Sequence, residues 1–147
     1  RRVLFRSGMK DLGTLGGNLS TARAINSQGW IVGGSRLSAP GQSHAFLVIA
    51  GAMRDLGTLG GSFSDAFAIN AAGLIVGASD FGSEHVTHAF AYSGGVMRDL
   101  GTLGGAYSAA LGVNDAGDIV GEAETAAGAV HAFLFRAGVM KDLTQAP

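Results

Sequence analysis

The 147 residues carry ten basic and eleven acidic side chains, a formal net charge of −1, and no cysteine. That inventory excludes a disulfide framework and a thiolate metal site, and its scattered basic residues offer no face or stripe to a nucleic acid. A 47% hydrophobic composition separates the chain from disordered sequences, and 25 glycines with only two prolines and no Gly-X-Y period exclude collagen.

No apolar run approaches the ~20 residues a membrane helix needs, so membrane insertion is not expected. No signal peptide is visible, and the sequence does not begin with Met. The chain opens on Arg1-Arg2-Val3-Leu4-Phe5-Arg6-Ser7. This string reads as translated sequencing-adapter DNA, which predicts a non-native start on a metagenomic fragment cut inside a longer array. The alternative is a natural capping strand, because Leu4-Phe5-Arg6-Ser7-Gly8 parallels Leu134-Phe135-Arg136-Ala137-Gly138.

From there the sequence repeats itself. Asp-Leu-Gly-Thr-Leu-Gly-Gly begins at Asp11, Asp55 and Asp99. An Asn-x-x-Gly turn begins at Asn26, Asn70 and Asn114, and Ile-Val-Gly at Ile31, Ile75 and Ile119. These series step by 44 residues; His-Ala-Phe, at His44, His88 and His131, steps by 44 and then 43. Four markers in one phase predict a single repeat array over 1–147. It divides into a partial unit at 1–19 and units at 20–63, 64–107 and 108–147, the last departing from the pattern at Thr144-Gln145-Ala146-Pro147.

The unit opening at Ser64 shows the predicted elements in order. Ala66-Phe67-Ala68-Ile69 is a short apolar strand, and Asn70-Ala71-Ala72-Gly73 turns the chain. Leu74-Ile75-Val76-Gly77 is the second strand of that hairpin. A variable loop covers Asp80 to Thr87, and His88-Ala89-Phe90-Ala91-Tyr92 is the third strand. Ser93-Gly94-Gly95 turns into Val96-Met97-Arg98-Asp99-Leu100, and Gly101–Gly105 leads to the next copy. Four short antiparallel strands per 44 residues predict an all-β, β-propeller-like array of about three and a half blades, open or incomplete; a β-solenoid is the alternative. Continuous apolar strands such as Ala45-Phe46-Leu47-Val48 fit sheets covered on both faces. An array that does not close exposes edge strands and an apolar face, so self-association or further blades are expected.

His-Ala-Phe followed by Gly-x-Met-x-Asp-Leu-Gly-Thr-Leu-Gly-Gly, complete over His44–Gly61 and His88–Gly105, resembles the HAF repeat family of bacterial proteins described as probable extracellular repeat proteins. The resemblance covers almost the whole chain. It implies an extracellular or cell-surface location and no particular activity.

The recurring polar residues are the candidates for chemistry. One His per copy fans out around an array and lacks the clustering of a metal site. Each His instead faces the Asp of the following strand, which predicts structural ties His44–Asp55, His88–Asp99 and His131–Asp142. Gly57-Thr58-Leu59-Gly60-Gly61 lacks the Gly-Lys-Ser/Thr ending of a phosphate loop and any following helix. Asn114-Asp115-Ala116-Gly117-Asp118 resembles a calcium loop only in one copy. No cofactor and no metal is expected. The segments between the second and third strands differ most, and variable loops on a repeated scaffold are where binding sits. The candidates there are Arg36, Asp80, Phe81, Glu84, His85, Glu122 and Glu124, together with Trp30, which stands where the other copies have Leu74 and Asp118. The sequence thus predicts a noncatalytic extracellular repeat module that presents loops to a protein or glycan. The alternatives are a purely structural surface or envelope array and, less favoured, a fragment of a propeller hydrolase or lyase, for which no nucleophile–base–orienter set appears.

Overall fold

A computed structural model describes residues 8–82 and 85–144. The Arg1–Ser7 string lies outside the described residues. Twelve strands and no helix are present among those described, so no helix is long and apolar enough to cross a membrane. The chain is all-β, as the sequence predicts.

The strands fall into three consecutive antiparallel units. The first contains β1 (Gly16–Ile25), β2 (Ile31–Leu37), β3 (Ser43–Ile49) and β4 (Ala52–Asp55). The second contains β5 (Ser64–Ile69), β6 (Ile75–Asp80), β7 (Thr87–Ser93) and β8 (Val96–Asp99). The third contains β9 (Gly104–Val113), β10 (Ile119–Thr125), β11 (Val130–Arg136) and β12 (Val139–Asp142). Within each unit every strand pairs with the next in sequence. β1–β4 form a four-stranded sheet, and the second and third units join into a larger mixed sheet through one parallel pair, Thr87↔Tyr107. The same pair recurs one unit earlier as an isolated bridge, Ser43↔Phe63. The sheets do not close into a barrel.

Local chemistry explains the hairpins. The β3–β4 turn has positive φ at both central residues, Ala50 (51°) and Gly51 (81°), which is the primed turn that matches strand twist. Gly94-Gly95 and Ala137-Gly138 repeat it. At the β1–β2 turn the Asn26 side-chain carbonyl accepts the N–H groups of Gln28 (3.0 Å) and Trp30 (2.9 Å), fastening the turn from within.

The first strand of each unit carries a bulge at the same place. The register slips between Ala22 and Ala24, between Ala66 and Ala68, and between Ala110 and Gly112. The extra residues are Arg23, Phe67 and Leu111. The bulge presses the backbone of this strand against the glycine of Ile-Val-Gly. A Cβ on Gly77 would overlap the Asp65 carbonyl oxygen and crowd the Phe90 ring. Gly33 and Gly121 face the carbonyls of Thr21 and Ala109 in the same way. The glycine of this motif is therefore a close-approach position and not a turn.

The apolar cores lie between units. Val32, Ala45, Leu47 and Leu56 of the first unit meet Ala66, Ile75 and Phe90 of the second. Val76 and Ala89 of the second meet Ala110, Ile119 and Phe133 of the third. A four-stranded sheet alone cannot cover both of its faces, so stacking the next unit completes the burial.

Gly77→Ala is expected to destabilise the chain by about 2 kcal/mol through overpacking at the bulge. Urea unfolding monitored by circular dichroism checks this; an unchanged midpoint would contradict the close-approach assignment.

Candidate functional site

The Asp-Leu-Gly-Thr-Leu-Gly-Gly segment fastens each unit to the next. Asp55 accepts the Gly57 N–H (2.7 Å), and the Thr58 hydroxyl donates to the Gly61 carbonyl (2.9 Å) while accepting the Gly60 N–H (3.2 Å). The Leu59 N–H goes to the Ser79 hydroxyl (2.8 Å). Ser64, fully buried at the start of β5, donates to the Gly57 carbonyl (2.6 Å) and accepts the Ala45 N–H of the preceding unit (2.8 Å). Ser108 does the same for Gly101 and Ala89. The Gly57, Leu59 and Gly60 N–H groups, which a phosphate cradle would present, are thus taken by the protein's own oxygens.

His44 Nδ1 lies 2.9 Å from both Asp55 oxygens, His88 Nδ1 2.9 Å from Asp99, and His131 Nδ1 2.8 Å from Asp142. A carboxylate only accepts, so Nδ1 carries the proton. The register explains the contact: Phe46 pairs with Asp55, and His44 lies two residues back on the same face of β3. Each Asp also accepts an N–H two residues on, so the tie fixes where the fourth strand ends. At the last copy Thr144 stands in the place of Gly57 and Gly101. Its hydroxyl lies 2.8 Å from His131 Nδ1 and donates to Asp142 (2.7 Å). The trio superficially resembles a hydroxyl–imidazole–carboxylate relay. A relay needs the hydroxyl and the carboxylate on opposite ring nitrogens, and here both meet Nδ1. The His131 and Thr144 hydrogen bonds hold the Asp142 carboxyl down to about 2.

A different carboxylate joins the first two units. Asp65 is buried, and Arg23 donates to its Oδ2 through Nη2 (2.7 Å) and Nε (3.2 Å). Arg23 also lies 5.6 Å over the Phe67 ring. The other oxygen, Oδ1, is buried with no hydrogen-bond partner and points at Gly34. Desolvation outweighs the arginine here and pushes the carboxyl above its ordinary value.

The loop candidates are dispersed. The second strand of each unit runs further than the sequence suggests, and this corrects four of them. Arg36 lies in β2, Asp80 ends β6, and Glu122 and Glu124 lie within β10, because ladder pairing continues through Arg36↔Ser43, Asp80↔Thr87 and Glu124↔Val130. Asp80 is buried and accepts a hydrogen bond from Thr87 (3.2 Å), so it is no loop residue. Glu122 accepts from the Tyr107 hydroxyl (2.8 Å), and Glu124 from the Ala106 N–H (2.8 Å). Burial and Glu122 together push the Tyr107 hydroxyl up to about 12. Phe81 is exposed and stacks on His88, with centroids 4.7 Å apart. His85 is exposed; Glu84 lies outside the described residues. In the Asp-rich turn, Asp115 accepts the Ala71 N–H (2.9 Å) and Asp118 takes both arms of Arg136 (2.8 and 2.7 Å). Among the described residues no three His, Asp or Glu side chains converge as a metal would need.

Two of the surface depressions are lined by candidates from the sequence, Arg36 and Trp30. Arg36 and the Ser38–Gln42 turn line a depression of about 810 Å³ with Gly16–Asn18. A groove of about 320 Å³ between the first two units is lined by Trp30, Leu47, Arg54, Leu56 and Tyr92. Trp30 is half-buried, with its ring edge against Gly73. The corresponding groove between the second and third units has Leu74, Ala91, Arg98, Leu100 and Phe135 at those positions. Sequence reading singled out Trp30 but missed Arg54 and Tyr92, whose equivalents Arg98 and Phe135 disguise them as framework.

Compared with known proteins, the chain matches no family model, no curated protein and no solved structure.

The two carboxylates respond to pH in opposite senses. Asp142, with its pKa lowered, stabilises the fold above its unfolded value of about 4 and loses that contribution as pH falls toward about 2. Asp65, with its pKa raised, contributes fully below about 4 and loses this as pH rises through its folded value. Carboxyl-carbon NMR titration should place the Asp142 midpoint well below the ordinary aspartate value; a midpoint near that value would contradict the tie.

Arg23→Ala is expected to cost about 2 kcal/mol, less than for a fully buried pair because Arg23 is half exposed. Adding Asp65→Ala should recover most of it, since Ala109 fills that position in the third unit. Equal losses in the single and double variants would contradict this.

Proposed function

We propose that the chain is a noncatalytic binding module, part of an extracellular β-propeller-like array, that takes a glycan or protein segment at the differences between its units. One observation carries this reading. The signature side chains of Ser64, Thr58, Asn70, His88 and Asp99 are engaged in bonds within the units, in their linkers or across their junctions, whereas Trp30, Tyr92 and Arg36, which differ between units, line open depressions. Side chains committed to holding the frame are poor candidates for chemistry, and variation on a rigid frame suits recognition. The meander order of four antiparallel strands within each unit supports stacked blades over the alternative solenoid. The HAF resemblance supports the extracellular assignment.

The Trp30 groove combines an indole, a phenol and a guanidinium around an apolar floor, a set suited to a sugar ring with hydroxyl edges. Binding to immobilised glycans and envelope extracts tests the reading. Trp30→Ala should weaken capture about tenfold, equivalent to about 1.4 kcal/mol. Binding to no glycan and no extract protein would favour the purely structural array, and turnover that survives repurification would favour the enzyme.

A further inference from the structure

The two ends of the array present the two halves of a junction that the chain has already formed twice. On the trailing side of the third unit, Val120 is 46% exposed, whereas Val32 and Val76 at the same position are fully buried beneath the following unit. Ala132 is exposed where Ala45 and Ala89 are fully buried. On the leading side of the first unit, Ala22 is exposed where Ala66 and Ala110 are fully buried. Ser20 is partly exposed where Ser64 and Ser108 are fully buried. Among the described residues each half therefore lacks the cover that its equivalents have.

The polar groups match as well. Asn26 Nδ2 donates to the Asn70 carbonyl (3.1 Å), and Asn70 Nδ2 to the Asn114 carbonyl (3.0 Å). Asn114 Nδ2 turns back to Asp118 at 3.3 Å. Ala45 and Ala89 give their N–H groups to the serine of the next unit.

We infer that the trailing face of the third unit docks the leading face of a second copy of this chain, head to tail, with β1 of that copy seated across β9, β10 and β11. Position by position, Asn114 would donate to the Asn26 carbonyl of the second copy, and the Ala132 N–H would meet its Ser20. The bridge formed by Ser43↔Phe63 and Thr87↔Tyr107 maps onto Val130 and Leu19. These are 54% and 48% exposed, so an apolar pair forms from two exposed side chains. Position 34 faces position 65 across the first junction, where Gly34 meets Asp65. At the new junction those places hold Glu122 and Thr21, a carboxylate opposite a hydroxyl donor. No carboxylate has to be buried unpaired there. Gly8–Leu12 of the second copy lie at the place that Val139–Leu143 take in the sequence repeat, so docking displaces them. Met9 is fully exposed.

A complementation experiment on the full chain tests this. Val120→Glu damages only the trailing face and Ala22→Asp only the leading face; both sites are exposed, and circular dichroism confirms the fold. In sedimentation velocity the unaltered chain should associate, and each variant alone should lose that association. Mixed, they should form a discrete one-to-one complex, because one intact junction remains. If Val120→Glu fails to fold, Val130→Glu replaces it. A monomeric unaltered chain, association that persists in either variant alone, or failure of the mixture to pair would overturn the inference. A monomer would leave a unit outside this sequence as the occupant of the face.

Discussion

A buried serine hydroxyl on the first strand of a unit carries the logic of this fold. Ser64 and Ser108 each accept an N–H from the third strand of the preceding unit and return a proton to the carbonyl of the linker that led into their own. One side chain thus satisfies two backbone groups from two different segments. Without it the buried N–H of Ala45 or Ala89 would be desolvated and unpaired, at about 1–3 kcal/mol apiece. The hydroxyl sets the distance between units, and the apolar clusters then close around that spacing.

Consequences follow for where variation is tolerated. The cores are junctions, so a residue on a sheet face answers to two units at once. Small residues dominate there because the sheets approach closely, as at Ala45, Ala66, Ala89 and Ala110, all fully buried. Room for change remains at the rims of the grooves and in the turns between second and third strands. The Arg23–Asp65 pair shows what happens when a junction does vary. A carboxylate replaces the Ala109 of the next junction, and an arginine on the bulge is needed to answer it. Even so, one carboxylate oxygen is left without a partner.

Much of this was legible in the sequence. Strand positions followed from period and turn residues. The His and Asp contacts followed from the hairpin geometry that brings position 44 diagonal to position 55. The strand ends were misread because charge suggests a loop, yet Asp80, Glu122 and Glu124 continue a ladder whose partners lie further along the chain. The serines were invisible as function, because a hydroxyl within a strand has no strong propensity. The available signal was their recurrence at Ser20, Ser64 and Ser108 amid alanines. The bulge left no composition cue at all, since its occupants are Arg23, Phe67 and Leu111. Only the glycine opposite hinted at it.

The asparagine ladder at the β1–β2 turns has a consequence for how such a chain changes length over generations. Asn26 and Asn70 each give to the copy ahead, so the middle repeat is both donor and acceptor in an identical register. Recombination that adds or removes a whole 44-residue period joins one junction to another of the same kind. A shift of any other size would break the ladder, unless it falls where no ladder runs. The third copy illustrates the exception. Leu37 and Phe81 close their turns onto residues five positions on, Gln42 and Val86, whereas Thr125 closes onto Ala129, four positions on. The one residue by which the spacing to His131 is shorter is accommodated in that turn, and the strand pairing beyond it continues as in the other copies.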